Sequence, residues 1–294
     1  MRILLTGASS QVGWELSSRS GHSGFDILAL DRSKLDITDS SAVSKEVKRS
    51  GVSLVINAAG YTAVDEAESE PELAFAANRD GPANLATACG KVGIPLVHLS
   101  TDYVFDGGKQ GSYLVTDPVS PLGVYGKSKA AGEAAVSEHL PEHVILRTSW
   151  VYGVHGDNFV KTMLRLGRER QVVQVVADQY GCPTYAADLA EAVLRIAAQV
   201  LEGRQVHWGI YHYCGQGVTT WHGFAEKIFA LASEYTTLAV KRIEPITTAQ
   251  YPTVAKRPLN SALDCSLLAE NYGIEQLPWV ASLAKMIEMM FSIE

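Results

Sequence analysis

The chain has 294 residues, of which 47% are hydrophobic and 19% charged, and its formal net charge is −7. This composition excludes general disorder, and the length suits two domains or one large α/β domain with an appendage. The acidic balance argues against binding to nucleic acid or an anionic membrane, and no apolar run approaches the ~20 residues that span a bilayer.

We expect no signal peptide. The four cysteines form no C-x-x-C pair and the histidines no metal-binding motif, so we predict no metal site and a cytoplasmic protein with reduced thiols.

Short apolar segments alternate with helical patterns in the first half of the chain. The segments are apolar on both faces, which is typical of strands buried in a parallel sheet. The predicted strands are Arg2–Thr6, Asp26–Asp31, Ser53–Ala59, Pro95–Thr101 and Val144–Tyr152. The predicted helices between them are Ser40–Arg49, Pro71–Cys89 and Tyr125–His139. The alternation predicts an α/β fold with a doubly wound, Rossmann-type parallel sheet.

The alternation loosens after about residue 150. Helices are predicted over Asn158–Arg170 and Ala186–Leu201, a return to the sheet over Ile210–Cys214, and a loop-rich tail with four prolines. We therefore predict a nucleotide-binding domain over 1–150, completed by parts of 185–215. A smaller, interleaved C-terminal domain over 151–294 would bind mainly substrate.

The segment T-G-A-S-S-Q-V-G follows the first strand and opens a helix, as a dinucleotide-binding turn does. Gly7 would form the tight turn and Gly13 would allow close packing, while the helix N-terminus, with Gln11 and Val12, would face a pyrophosphate. Ser10 stands where a glycine would let the main chain approach the phosphates. A serine fits there if its φ stays negative.

Asp31 ends the second strand, at a spacing from Gly13 at which an acid accepts hydrogen bonds from a ribose hydroxyl. This acid favours NADH. The adjacent Arg32 leaves NADPH open, because an arginine there accommodates the 2′-phosphate. The alternative for Arg32 and Lys34 is that both are solvated surface charges.

Tyr125 and Lys129 are four residues apart on a predicted helix and so share one face. Protonation of a carbonyl oxygen needs an acid, and a lysine ammonium nearby lowers the pKa of a tyrosine. Ser100 and Thr101 end the preceding strand, where side chains meet the ligand crevice of an open sheet. A Y-x-x-x-K match alone is weak, because such pairs often lie on the surface; the strand-end hydroxyls strengthen it.

Together these motifs resemble the extended short-chain dehydrogenase/reductases, and longer blocks are similar to the dTDP-4-dehydrorhamnose reductase family. The blocks lie at 57–68, 100–107, 120–133, 147–153, 158–166, 178–184 and 257–264. The resemblance implies NADPH- or NADH-dependent reduction of the C4 ketone of dTDP-6-deoxy-L-lyxo-4-hexulose to dTDP-L-rhamnose. It implies that Tyr125 protonates the alkoxide, that Lys129 lowers the tyrosine pKa and holds the nicotinamide ribose, and that Thr101 bonds the reacting oxygen.

The same resemblance implies further binding residues. The cofactor would contact Asp36, Ile37, Asn57, Ala58, Ala59 and Tyr61, and the dTDP-4-keto-6-deoxy sugar would contact Asp102, Tyr103, Trp150, Asn158, Trp221 and Arg257. Arg257 is expected to bind the diphosphate, with a surface ion pair as the alternative. Asp36 equally suits a helix entry, and Trp150 equally suits the core.

Asp102 and Tyr103 stand where related sugar 4,6-dehydratases carry Asp-Glu, so the missing glutamate favours reduction over elimination.

Two alternatives stay open: a non-catalytic regulatory subunit that binds dinucleotide, and a reductase or epimerase of another nucleotide sugar. A homodimer is also left open.

Overall fold

The computed structural model describes residues 1–20, 24–203 and 206–292. Its strands are β1 (Arg2–Thr6), β2 (Asp26–Leu30), β3 (Leu54–Asn57), β4 (Leu96–Thr101), β5 (His143–Thr148), β6 (Val151–Tyr152), β7 (Val172–Val176), β8 (Tyr180–Gly181), β9 (Thr184–Tyr185), β10 (Gly209–His212), β11 (Thr219–Thr220) and β12 (Arg242–Ile246). Its α-helices are α1 (Gln11–Ser18), α2 (Ser40–Ser50), α3 (Pro71–Phe75), α4 (Gly81–Val92), α5 (Val124–His139), α6 (Phe159–Glu169), α7 (Ala186–Leu201), α8 (Trp221–Ala232), α9 (Ser266–Tyr272) and α10 (Trp279–Ser292).

Six parallel strands form the central sheet in the order β10-β5-β4-β3-β1-β2. Helices α1, α7 and α9 pack on one face of the sheet, and α2, α4 and α5 pack on the other. The predicted doubly wound α/β fold is therefore confirmed. The strand order changes direction between β1 and β3, and ligands bind at such a point, beyond the carboxyl ends of the strands.

A separate apolar cluster lies among α6, α8, α10 and β7. It includes Phe224 and Leu283, both fully buried. The sheet and this cluster are thus two distinct centres of packing, while the predicted residue bounds of two domains stay a prediction.

The predicted strand Val144–Tyr152 is two strands. β5 ends at Thr148, and β6 pairs with β9 outside the central sheet. Trp150 between them has a φ of 48°, a left-handed conformation that a strand interior does not adopt. The predicted helix Pro71–Cys89 is also divided, because a π-helical turn over Ala76–Asp80 separates α3 from α4.

The tail contains more regular structure than its prolines predicted. β12 pairs in parallel with β7, and Pro245 is tolerated because β12 has one paired edge only. The helices α8, α9 and α10 were also missed; α8 and α10 bury their apolar faces in the separate cluster. The predicted strand near Ile210 is confirmed as β10, parallel to β5.

Within the described ranges, none of the helices is both long enough and apolar enough to cross a membrane.

Candidate active site

The turn after β1 meets the segment after β3 with no room for side chains. Gly7 has a φ of 74°, and a Cβ on it would lie 2.4 Å from the main-chain nitrogen of Ala59. A Cβ on Gly13 would lie 2.0 Å from the carbonyl oxygen of Gly7. Both glycines, and Ala58 and Ala59 beside them, therefore form a main-chain cradle at the amino end of α1. Such a cradle suits a pyrophosphate, because N–H groups and the helix dipole attract negative charge.

The structure explains why a serine stands at position 10 of the turn. It caps α1: its hydroxyl accepts a hydrogen bond from the Gly13 N–H at 3.0 Å, and its φ is −70°. A serine is among the best N-cap residues, so it stabilises the helix at the place where the motif usually has glycine. The Val12 side chain packs in the sheet core, so only its main chain reaches the cradle.

The segment after β2 holds its charged side chains in local bonds. One oxygen of Asp31 accepts hydrogen bonds from Ser33 and Lys34, and the Ser33 hydroxyl holds the pKa of Asp31 below its usual value. Asp36 accepts from Thr38 at 3.0 Å and pairs with Arg32 at 3.3 Å. Asp36 thus shapes the turn before α2, which Asp39 caps, and its predicted contact with the cofactor stays a prediction.

The Ile37 side chain packs inside the protein, and its predicted contact with the cofactor stays a prediction. This side chain is buried, and a Cβ on Gly81 would lie 2.5 Å from its Cδ1. The side chain fills the contact between the loop and α4 and does not face the cleft. Its carbonyl oxygen accepts a hydrogen bond from Asn84 at 3.0 Å.

Asn57 is buried in a polar network below the cradle. Its Oδ1 accepts hydrogen bonds from the Thr6 hydroxyl at 2.7 Å and the Ala59 N–H at 3.0 Å, and its Nδ2 lies 3.0 Å from His98 Nδ1. Burial holds the pKa of His98 well below its usual value, so this histidine is neutral. Asn57 therefore shapes the segment that carries Ala58 and Ala59.

Sequence reasoning missed Asn78, which lies on the π-helical turn. Its amide bonds both main-chain groups of Tyr61, at 2.8 and 3.0 Å, and donates to the Ser128 hydroxyl at 3.0 Å. The Tyr61 hydroxyl in turn donates to Glu70 at 2.6 Å, and this hydrogen bond raises the pKa of Tyr61 to about 12. Asn78 thus joins the predicted cofactor segment to α5, and a buried asparagine in an apolar helical pattern was the one available signal.

The three predicted catalytic side chains come together at the carboxyl end of β4. Thr101 ends that strand, and its hydroxyl donates to Asp102 at 2.9 Å. Tyr125 and Lys129 lie in the first turns of α5, and the Lys129 ammonium donates to the carbonyl oxygen of Leu99 at 2.7 Å. The Tyr103 ring packs edge-on to Tyr125, with centroids 5.5 Å apart.

Burial dominates the protonation of these groups. It raises the pKa of Tyr125, while hydrogen bonding by Thr101 partly opposes the rise. It raises the pKa of Asp102 to about 6 and lowers that of Lys129 to about 8, against the opposing effect of Glu133. Lys129 is not among the groups that shift the pKa of Tyr125 here, so its predicted effect on the tyrosine stays a prediction. Tyr125 is held as a neutral proton donor.

Two further residues of α5 and β5 were missed. Glu133 follows Lys129 by one helical turn and binds Arg147 through two contacts, Oε1 to Nε at 2.9 Å and Oε2 to the second guanidinium nitrogen at 2.6 Å. Both side chains are almost fully buried. The pair fixes α5 to β5 directly behind the catalytic side chains.

Trp150 and Trp221 form a stacked pair that packs against the separate apolar cluster. Their ring centroids are 3.5 Å apart and their planes 8° apart, and Phe159 packs against Trp221 at 4.6 Å. A Cβ on Gly181 would lie 2.3 Å from the Trp150 ring, so this glycine makes the room that the tryptophan occupies.

Arg257 and Asn158, two further predicted substrate residues, are both bonded to other protein groups. The Arg257 guanidinium lies over the Tyr103 ring at 6.0 Å and pairs with Asp65 at 2.6 Å. Asn158 caps α6, and its Nδ2 donates to Gln11 at 3.0 Å and to the Gly153 carbonyl at 2.8 Å. The Asn158 side chain therefore holds two protein segments together, and its predicted contact with the substrate stays a prediction.

Three cysteines that are distant in sequence share one small core cluster. Cys182, Cys214 and Cys265 are buried free thiols, and the sulfurs of Cys214 and Cys265 are 3.7 Å apart. No grouping of three or more histidine, cysteine or acidic side chains suited to a metal ion occurs in the part of the chain that the structure describes.

Comparisons with known proteins agree over nearly the whole chain. The family model described as the RmlD substrate binding domain matches residues 1–292. A protein of Aggregatibacter actinomycetemcomitans named dTDP-4-dehydrorhamnose reductase is 45% identical over 284 residues, covering 96% of this chain and 97% of that protein.

Solved structures give the same result. A dTDP-4-dehydrorhamnose reductase of Clostridium acetobutylicum matches with a TM-score of 0.92 and 38% identity, covering 99% of both chains. One from Bacillus anthracis in complex with NADP matches with a TM-score of 0.91 and 39% identity, covering 98% of this chain and 99% of that one.

Proposed function

The chain belongs to the dTDP-4-dehydrorhamnose reductase family, and on that premise we propose that Tyr125, Thr101 and Lys129 carry out its reaction. It is an NAD(P)H-dependent oxidoreductase that reduces a dTDP-4-keto-6-deoxy sugar in dTDP-L-rhamnose synthesis. The main-chain cradle at Gly7 and Gly13 fits the dinucleotide, because the glycines let the amino end of α1 approach the ends of β1 and β3 closely. When bound, the reduced nicotinamide supplies the hydride that the sugar C4 accepts.

Tyr125 supplies the proton. As C4 is reduced, the tyrosine O–H bond breaks and the proton passes to the C4 oxygen, which becomes the hydroxyl of the product. The raised pKa of Tyr125 keeps that proton in place at neutral pH until the oxygen becomes basic. Thr101 orients the tyrosine and the C4 oxygen. Lys129, with a pKa of about 8, is charged at neutral pH and stabilises the tyrosinate left behind.

The substrate lies between the two sides of the cleft in this proposal. Arg257 binds the diphosphate by charge-assisted hydrogen bonds, and the stacked rings of Trp150 and Trp221 bound the sugar. Asp102 and Tyr103 complete the wall beside the reacting carbon. The single observation that carries the proposal is the buried, neutral Tyr125 beside Thr101 at the carboxyl end of β4.

The substitution Tyr125→Phe tests the mechanism. We expect kcat for the dTDP-ketosugar to fall about 10²–10⁴-fold, because the proton donor is lost. NADPH affinity and the melting temperature should stay unchanged, as they should in the matched control Tyr235→Phe, which alters an exposed tyrosine away from the cleft. Full turnover by the Tyr125 variant would refute the assignment.

Turnover also separates the other candidate functions. A non-catalytic regulatory subunit would turn over no nucleotide ketosugar, and a panel of UDP-, GDP- and CDP-sugars tests a reductase or epimerase of another nucleotide sugar. The ratio of kcat/KM for NADPH and NADH measures the cofactor preference. A preference for NADH would follow from Asp31, and a preference for NADPH from Arg32.

We also propose a cytoplasmic location, supported by four free cysteines, two of which have sulfurs 3.7 Å apart without a disulfide. The homodimer and the domain bounds 1–150 and 151–294 stay predictions. Analytical ultracentrifugation tests the first, and limited proteolysis tests the second.

A further inference from the structure

Asp65 joins two segments that are far apart in the chain. It lies just before a 3₁₀ turn over Glu66–Glu68, in the loop that follows β3. Its Oδ2 accepts a hydrogen bond from Arg257 at 2.6 Å, and its Oδ1 accepts one from the Ala255 N–H at 2.9 Å. Both carboxylate oxygens therefore hold the same short stretch of the tail.

The bond to Asp65 involves one edge of the Arg257 guanidinium. It uses a terminal nitrogen, and the same guanidinium lies over the Tyr103 ring with its carbon 6.0 Å from the ring centroid. Tyr103 in turn packs against Tyr125. An arginine has five N–H donors in a rigid fork, so donors remain after Asp65 is bonded.

The exposure of the pair argues against a mainly structural role. The Asp65 side chain is 37% exposed and the Arg257 side chain 20% exposed. Ion pairs this open to solvent contribute little to folding stability. The ion pair fixes the orientation of Arg257 beside the Tyr103 ring, which packs on Tyr125.

We propose that Asp65 is the positioning residue for Arg257: it holds one edge of the guanidinium so that the remaining N–H groups face the diphosphate of the substrate. This inference rests on the proposed function, in which Arg257 binds that diphosphate. Asp65 would then act on substrate affinity through Arg257 and would not touch the reacting atoms.

The substitution Asp65→Asn tests the proposal, with thymidine diphosphate as the probe. We expect its inhibition constant and the KM of the ketosugar to rise about tenfold, because the arginine loses its orientation. The value of kcat, NADPH affinity and the melting temperature should stay at the wild-type level. The matched control is Glu66→Gln, which removes the same charge from an exposed position on the same turn and should leave both constants unchanged.

Arg257→Met and the double variant distinguish a failure of this inference from a failure of the proposed function. Asp65→Asn should add nothing in the Arg257→Met background. An added loss there, or an unchanged or tighter inhibition constant for Asp65→Asn alone, would overturn the positioning role while Arg257 stands. If Arg257→Met itself binds thymidine diphosphate normally, the diphosphate assignment fails and the inference fails with it.

Discussion

The buried ion pair behind the catalytic helix gives the strongest test of how this site is built. Glu133 and Arg147 make two short contacts, and their side chains are 5% and 2% exposed. The substitution Arg147→Met removes the cation that bonds both oxygens of the buried Glu133 carboxylate. Breaking a buried pair in this way destabilises a protein by about 3–5 kcal/mol. At roughly 2 °C per kcal/mol for a chain of this size, the melting temperature should fall by about 6–10 °C.

The double variant Glu133→Gln/Arg147→Met is the control, because it removes both charges. It should recover most of the lost stability, since the Glu133 carboxylate is no longer buried without its arginine.

Thermal unfolding followed by circular dichroism measures these effects. Wild type, both single variants and the double variant should be compared under identical conditions. A loss below about 1 kcal/mol for Arg147→Met, or a double variant no more stable than that single variant, would refute the reasoning.

Two further predictions concern the cofactor turn and the catalytic lysine. Gly13→Ala places a Cβ 2.0 Å from the Gly7 carbonyl oxygen, so NADPH affinity in a fluorescence titration should fall at least about tenfold. Gly90→Ala, whose closest neighbour is at 3.4 Å, should bind NADPH normally, and equal affinities would contradict the cradle. The pKa of Lys129 is lowered from 10.5 to about 8. Between these values the unfolded chain holds a proton that the folded protein has released, so the free energy of unfolding should rise with pH relative to Lys129→Met. Denaturant titrations that show a constant difference between the two proteins would be inconsistent with this shift.

The sheet could be predicted because its strands are buried on both faces and read as short apolar runs. Trp150 marks the limit of that reasoning. The residues from Val144 to Tyr152 are locally consistent with one strand. The break depends on the space above Gly181 and on the ring of Trp221, and both come from distant parts of the chain. Local patterns carry no signal for such a contact.

The site could be predicted where its chemistry depends on local spacing. The glycine turn and the pair Tyr125 and Lys129 are of this kind, since a few residues determine their geometry. Asn78 and Asp65 were missed because their roles depend on partners that only the folded chain brings near. The bond between Asn158 and Gln11 was missed for the same reason, because the two residues are far apart in the chain.

The bond between Gln11 and Asn158 has a practical consequence for protein engineering. Gln11 lies in the dinucleotide turn, Asn158 begins the first helix of the other half, and a Cβ on Gly156 would lie 3.1 Å from the Gln11 side chain. These three positions lie together where the turn after β1 meets the segment before α6. A chimaera that takes its nucleotide half from one relative and its sugar half from another should therefore inherit all three from the same parent.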